Sequence, residues 1–402
     1  MRQARAVFRY PNYRYYMGAR FLTTLSSEMQ AVAVAWQVYG LTHRPLDLGL
    51  VGLAQFLPGI FLFLAAGHTA DRWPRLRIMQ ACLVAFSLCS ALLLALTARG
   101  LASVYPIYAV LLLNGAVRAF HFPAGQAFLP LLVPEEDFPN AVAWSASVLQ
   151  AATIAGPMLG GALYGLSGSP IPVYVSAALA YLTGLALVSA IRVKAVERPR
   201  AASLDMVLEG FRYIWRNQLI LGAISLDLFA VLLGGAVALL PVYAREILKV
   251  GAAGLGILRS APGVGAVAMA IVVAHRPLTR HAGAAMLWCV FGFGLFTVVF
   301  GLSRNLALSL AALALAGACD MVSVIVRQTM IQLATPDEMR GRVSAVNMVF
   351  VGASNEVGQF ESGITAQWFG AVPAVVVGGL GTIAVVALWA RLFPALRVKQ
   401  GL

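Results

Sequence analysis

Long apolar runs alternate with short polar segments along the whole chain. Runs at roughly 16–40, 48–70, 76–98, 103–130, 138–165 and 170–192 precede a polar segment at roughly 193–217. Six more follow at roughly 218–244, 252–274, 282–303, 305–334, 341–368 and 372–394. A helix of about 20 apolar residues crosses the hydrocarbon core of a bilayer. Backbone polar groups in lipid must be satisfied within the spanning structure, which leaves helices or a closed barrel. The runs are too long for barrel strands and do not alternate, so the pattern predicts twelve membrane-spanning helices.

Composition agrees. Of 402 residues, 60% are hydrophobic and only 11% charged, against about 25% charged in soluble domains. Such a chain cannot cover a water-facing surface. The net charge of +13 does not mark a nucleic-acid binder, because the basic residues form no patch with interleaved aromatics. They sit between the apolar runs. With both termini inside, 21 of the 29 Lys and Arg fall on the inner side and 5 on the outer, while Arg118, Arg259 and Arg327 lie within spans. That asymmetry predicts both ends in the cytoplasm of a bacterial inner membrane. Cys82, Cys89, Cys289 and Cys319 fall inside apolar runs without metal-ligand spacing and read as small buried side chains. No small-residue cleavage site closes a short apolar stretch near the N-terminus, so the first helix is expected to direct insertion.

The two halves repeat. Gly115-Ala116-Val117-Arg118 aligns with Gly317-Ala318-Cys319-Asp320 at an offset of 202, as do Gln126 with Gln328 and Pro134-Glu135-Glu136 with Pro336-Asp337-Glu338. At an offset of 204, Gly52 meets Gly256 and Pro58-Gly59 meets Pro262-Gly263. The expected organisation is a six-helix bundle over 1–192, a cytoplasmic linker over 193–217 and a second six-helix bundle over 218–402. Transporters built from two parallel repeats carry their site near the midplane between them. Within the linker, Leu204–Trp215 is amphipathic, and Phe211, Tyr213, Ile214 and Trp215 are expected at the membrane surface.

Gly67-His68-Thr69-Ala70-Asp71-Arg72-Trp73-Pro74-Arg75-Leu76-Arg77 resembles the loop signature of the major facilitator superfamily. The resemblance implies an all-α fold of two six-helix bundles. It also implies a cytoplasmic gate made by Gly67, Asp71, Arg72, Arg75 and Arg77, latched in the outward-open state. The matching place in the second half, His275-Arg276-Pro277-Leu278-Thr279-Arg280, lacks the aspartate, so no second latch of equal strength is expected. Gly156-Pro157-Met158-Leu159-Gly160-Gly161 resembles the motif of the antiporter branch, which implies export; a small-residue packing face is the alternative reading. Ala152 stands where that motif often has glycine. Further stretches resemble the enterobactin-exporter-like branch, also called transmembrane secretion effectors. They are Arg118 with Pro123-Ala124, Asn140-Ala141-Val142-Ala143-Trp144, Leu226-Asp227-Leu228-Phe229, Leu239-Leu240-Pro241-Val242, Arg259-Ser260-Ala261-Pro262 and Arg340-Gly341-Arg342-Val343.

Ionisable groups inside a span are costly and are functional candidates by default. Glu28, Asp227, Asp320, Glu356 and Glu361 qualify, together with the three arginines. Subtracting the repeat offset from Asp227 gives position 25, within a turn of Glu28, so both acids are expected to face a central cavity from opposite halves. Arg118 and Asp320 occupy equivalent positions and are a candidate charge pair; the antiporter branch often places a coupling arginine where Arg118 stands. Arg259 is a further candidate, and Glu356 shares a helix face with Gln359. Trp36, Gln37, Gln55, Phe56 and Trp144 are candidate cavity-lining residues. A proton moving down about 100 mV supplies roughly 2.3 kcal/mol, enough for a cargo gradient of about 50-fold. The expected function is a proton-coupled exporter of small amphipathic molecules such as drugs, siderophores or metabolites, acting as a monomer among membrane lipids. A solute uptake symporter is the alternative. No catalytic triad, metal set or cofactor loop is legible, so neither an enzyme nor a lipid scramblase is favoured and no cofactor is expected.

Overall fold

The computed structural model describes residues 7–192, 204–276, 282–394 and 396. Among these there is no strand. The helices of the first half are α1 (Pro11–Thr42), α2 (Pro45–Arg72), α3 (Arg75–Ala98), α4 (Tyr105–Phe128), α5 (Phe138–Ser167) and α6 (Ile171–Ser189). Then come α7 (Leu204–Arg216), α8 (Gln218–Gly234), the single turn α9 (Leu240–Val242), α10 (Gly251–His275), α11 (Ala282–Leu302), α12 (Leu306–Ala334), α13 (Asp337–Phe369) and α14 (Ala371–Leu392).

Local chemistry sets the ends. Proline opens α1, α4, α5 and α6, where its missing N–H costs nothing and its fixed φ suits the first turn. The Asn217 side chain caps α8 by accepting from the Leu219 and Ile220 amides at 3.1 and 3.3 Å. At its far end α5 closes on Gly168, whose φ of 66° is left-handed.

Twelve of these helices, 17 to 33 residues long, are the expected spans. Ten have windows apolar enough to cross a bilayer by length and hydropathy. The other two, α1 and α13, are long enough, but polar side chains dilute them: Arg14, Arg20, Glu28, Gln30 and Gln37 in one, Arg340, Arg342, Asn347, Glu356, Gln359 and Glu361 in the other. One span is irregular inside its expected bounds. The span expected over roughly 218–244 leaves the α-helix at Gly234 and continues through a 3-10 segment (Ala236–Leu239), α9 and a π-helical turn (Tyr243–Ile247). Gly235 breaks the regular geometry, and Pro241 has no amide to donate.

The chain divides into two compact units. The first holds Met1–His43, Ala54–Ala201 and Gly251–Gly256; the second holds Arg44–Leu53, Ala202–Val250 and Ile257–Leu402. In the first, α1 packs on α5 and α6, and α3 on α4 and α6. In the second, α8 packs on α13 and α14, and α11 on α12 and α14. Replacing each helix by its repeat partner converts one set into the other. Packing is close at equivalent glycines: Gly115 of α4 lies on the Gln55 backbone of α2, and Gly317 of α12 lies on the Pro262 backbone of α10.

Each bundle has its own core. Tyr13, Tyr16, Leu83, Phe86, Phe128 and Tyr181 are among the buried residues of the first. Leu226, Ala230, Met286, Val326 and Met330 are among those of the second. Buried hydroxyls reach neighbouring helices: Tyr13 donates to the Ala141 carbonyl at 3.0 Å, Tyr16 to Gly125 at 2.8 Å, and Thr382 to Ala230 at 3.0 Å. Such bonds contribute on average about 0.6 kcal/mol each in membrane proteins. Leu88, Leu179, Trp288 and Leu380 stay bare, which suits a surface solvated by lipid.

Candidate functional site

In the first unit an in-span acid lies at the crossing of α1 and α5. A Cβ added at Gly156 would stand 2.5 Å from the Glu28 Cβ, and one at Gly160 would stand 2.7 Å from the Met29 carbonyl oxygen. These two glycines are therefore the surface on which α1 lies, with Glu28 at the contact. Gly161 faces α10 instead, where an added Cβ would meet Gly256 Cα at 2.8 Å. Pro157 is buried within α5 between these contacts. Tyr181 of α6 is fully buried, stacks on Phe86 at 5.3 Å, and lies within range of the charges of both Glu28 and Arg118. Thus α1, α4 and α6 bring an acid, an arginine and a phenol toward one locus, with Arg118 on an exposed face of α4.

Uncharged polar groups extend the same interior. Ser27, Gln30, Gln55 and Asn114 line a small cavity within the first bundle, closed off by Val34, Leu93 and Leu111 among others. Ser90 donates to Gln30 Oε1 at 3.1 Å. Gln37 ties three helices together, donating to Thr97 at 3.0 Å and accepting from Tyr174 at 2.7 Å. Trp36 packs edge-on to Tyr164, and Trp144 edge-on to Phe8. Of the residues expected to line a cavity, Gln55 is the one found at this one.

The second unit holds an ion pair that sequence reasoning missed. Asp227 of α8 is paired with Arg327 of α12, and both side chains are almost completely buried. Asp227 therefore does not present a free carboxylate to a cavity, as the repeat suggested; it is spoken for inside its own bundle. The repeat misled because the pair has no counterpart. Positions 202 residues earlier hold Leu25 and Gly125. The available signal was a lone arginine in a span without an assigned role. Among the described residues, Arg327 Nε and the Ser323 hydroxyl, one turn earlier on α12, have no hydrogen-bond partner.

On α13 the expected pairing of Glu356 and Gln359 on one face is present, with a 3.1 Å hydrogen bond from the amide to the carboxylate. Gly52 of α2 leaves room for them, since a Cβ there would lie 3.2 Å from Glu356 Oε2. Glu361 accepts from Thr365 at 2.8 Å. Asp320 on α12 and Arg259 on α10 are partly buried. Around the loop signature, Arg75 donates to the Ala127 carbonyl at 2.7 Å and so satisfies the end of α4. Arg72 and Arg77 are exposed, Gly67 has open space where a Cβ would go, and the Asp71 side chain lies outside the described residues. The matching segment of the second half is described only as far as Arg276.

The sequence pattern of the family described as transmembrane secretion effector matches residues 3–399. The chain belongs to that family. The chain is 28% identical over 380 residues to the enterobactin exporter EntS of Shigella boydii serotype 4 (strain Sb227), covering 93% of the chain and 86% of the relative. The same figures hold for the enterobactin exporter EntS of Escherichia coli O139:H28 (strain E24377A / ETEC). Among solved structures, the chain superposes on nucleoside transporter NupG with a TM-score of 0.74 at 12% identity, covering 95% of this chain and 99% of that one. A bacterial homolog to the human lysosomal transporter Spinster, inward-facing and occupied, gives 0.75 at 12% identity, with 96% and 98% covered. At these identities the likeness concerns the fold alone. The protein is a multi-pass membrane transporter of the major facilitator superfamily, and its family and relatives are membrane transporters.

Proposed function

We propose that this transporter exports a small amphipathic molecule, of the siderophore class in the first instance, in exchange for protons. It would act as a monomer in a bacterial inner membrane with both termini cytoplasmic. The observation that carries the reading is Glu28, a carboxylate held in a span at the crossing of α1 with the antiporter-like glycines of α5. Loading a proton there removes a charge from the surface on which α1 packs, so proton binding and helix packing are linked at one point. Arg118 brings a positive charge toward the same locus, and Tyr181 lies within range of both. The relatives named as enterobactin exporters support the direction and the cargo class. The 21-to-5 division of basic residues supports the orientation. Asp320, Arg259 and Glu356 are further contact candidates for cargo.

The test uses proteoliposomes with enterobactin as cargo and an imposed pH gradient. The native chain should move cargo against a proton flux, with the rate following the gradient. Glu28→Gln should lose the response to the gradient while keeping cargo exchange at equal pH. A native rate that ignores the gradient would overturn antiport, and cargo moving with the protons would make the protein an uptake symporter.

A further inference from the structure

We infer that α7 is a docking face for anionic phospholipid headgroups, built onto the end of the second bundle. The helix is 13 residues long and has two distinct sides. One is committed to the protein. Ile214 is buried with Ile220, Ile331 and Val343, and the Tyr213 hydroxyl donates to the Ala334 carbonyl at the end of α12, at 3.0 Å. Gly210 lies on the backbone of α13, where a Cβ would meet the Arg342 carbonyl oxygen at 2.7 Å. The Glu209 carboxylate receives the Arg342 guanidinium, and at the edge of this side Phe211 rests one ring face on Phe350 at 6.3 Å while remaining 41% exposed. This corrects part of the sequence expectation: Tyr213 and Ile214 turn inward and away from a membrane surface.

The other side is bare. Leu208, Phe211, Arg212, Trp215 and Arg216 line one shallow apolar groove. Their spacing of three and four residues puts them on a single helix face. Leu208 is 58% and Trp215 65% exposed, and Trp215 stacks on Phe211 at 5.7 Å. Arg212 and Arg216 are exposed one turn apart, and neither guanidinium has an acidic partner among the described residues. Large apolar groups and two exposed guanidinia on the same face fit one occupant best. Acyl carbons cover the leucine and the aromatics, and a phosphate bearing net negative charge meets the arginines. Soluble phosphate gains nothing from the apolar groups, and a neutral lipid gains little from the second arginine. Because the inner side of α7 grips the end of α12 and the start of α13, a headgroup held there steadies both helix ends. This reading does not depend on the cargo or on proton coupling.

The test reads Trp215 fluorescence as the difference between the native chain and Trp215→Phe, in phosphatidylcholine vesicles. A small, equal mole fraction of brominated phosphatidylglycerol or brominated phosphatidylcholine is added as quencher. Brominated phosphatidylglycerol should quench several-fold more, and Arg212→Gln with Arg216→Gln should remove the excess, each arginine contributing about fivefold in lipid affinity. The double variant should keep the native unfolding temperature in detergent, which separates lost lipid from lost fold. Equal quenching by the two lipids, or an excess that survives in the double variant, would overturn the proposal. Full competition by inorganic phosphate, or crosslinking of two chains through this face, would also overturn it.

Discussion

At the scale of single residues, the buried pair Asp227–Arg327 makes the sharpest demand. Removing one partner leaves a desolvated charge, and in soluble proteins that costs about 3–5 kcal/mol, whereas replacing both by apolar groups is often neutral. Asp227→Asn and Arg327→Met should each lower the unfolding temperature in detergent markedly, while the double Asp227→Leu/Arg327→Met recovers most of the loss. Additive losses in the double variant would mean the two residues act separately. Glu28 makes a different demand. Its carboxylate lies at a helix crossing, so Glu28→Gln should preserve stability within about 1 kcal/mol and change only the response to the proton gradient. Stability and coupling thus separate the roles of the two acids, which the repeat had made equivalent.

At the scale of helices, α1 rests on α5 through two glycines one turn apart. Met29 backbone atoms, which cannot swing aside, would meet any added Cβ at Gly160. Gly160→Val should therefore cost about 1–3 kcal/mol through overpacking. It should slow transport even with Glu28 intact, as measured by unfolding temperature and by cargo exchange at equal pH. Unchanged exchange and stability would show that α1 does not lie on α5 as described. Entry into α8 depends on Asn217, whose side chain satisfies two orphan amides. Asn217→Ala should cost about 1 kcal/mol and Asn217→Asp much less, both read as unfolding midpoints.

At the scale of the molecule, the proposed orientation rests on twelve spans, which would return the chain to the side it started from, and on the excess of basic residues in the segments assigned to the cytoplasm. A cysteine replacing Arg44 should react with an impermeant thiol reagent applied from outside, and one replacing Arg216 only after the membrane is opened. The four native cysteines, buried or partly buried and free, should give little background. Equal labelling at both positions from outside would contradict the orientation. The two bundles use the same helix pairings, yet they hold their in-span charges differently. One sets Glu28 at a glycine-lined crossing, with Tyr181 in range of its charge and of Arg118, and the other closes Asp227 onto Arg327. Symmetry of backbone packing does not carry over to side-chain chemistry.

The number of spans, the all-α class and the two-fold repeat follow from the amino-acid sequence alone. The transfer of about 20 apolar residues into lipid depends on composition along one short segment, and a repeat is visible by alignment of the chain with itself. The antiporter-like glycines were legible as a motif for the same reason. Which acid meets which base was not. Residues 227 and 327 are brought together by the rotation and depth of two helices, and no local property of either span encodes that. The same limit explains α7: its amphipathic character was plain from the sequence. That Tyr213 and Ile214 turn to the protein, leaving Leu208, Phe211 and Trp215 bare, was decided by where α12 ends and α13 begins.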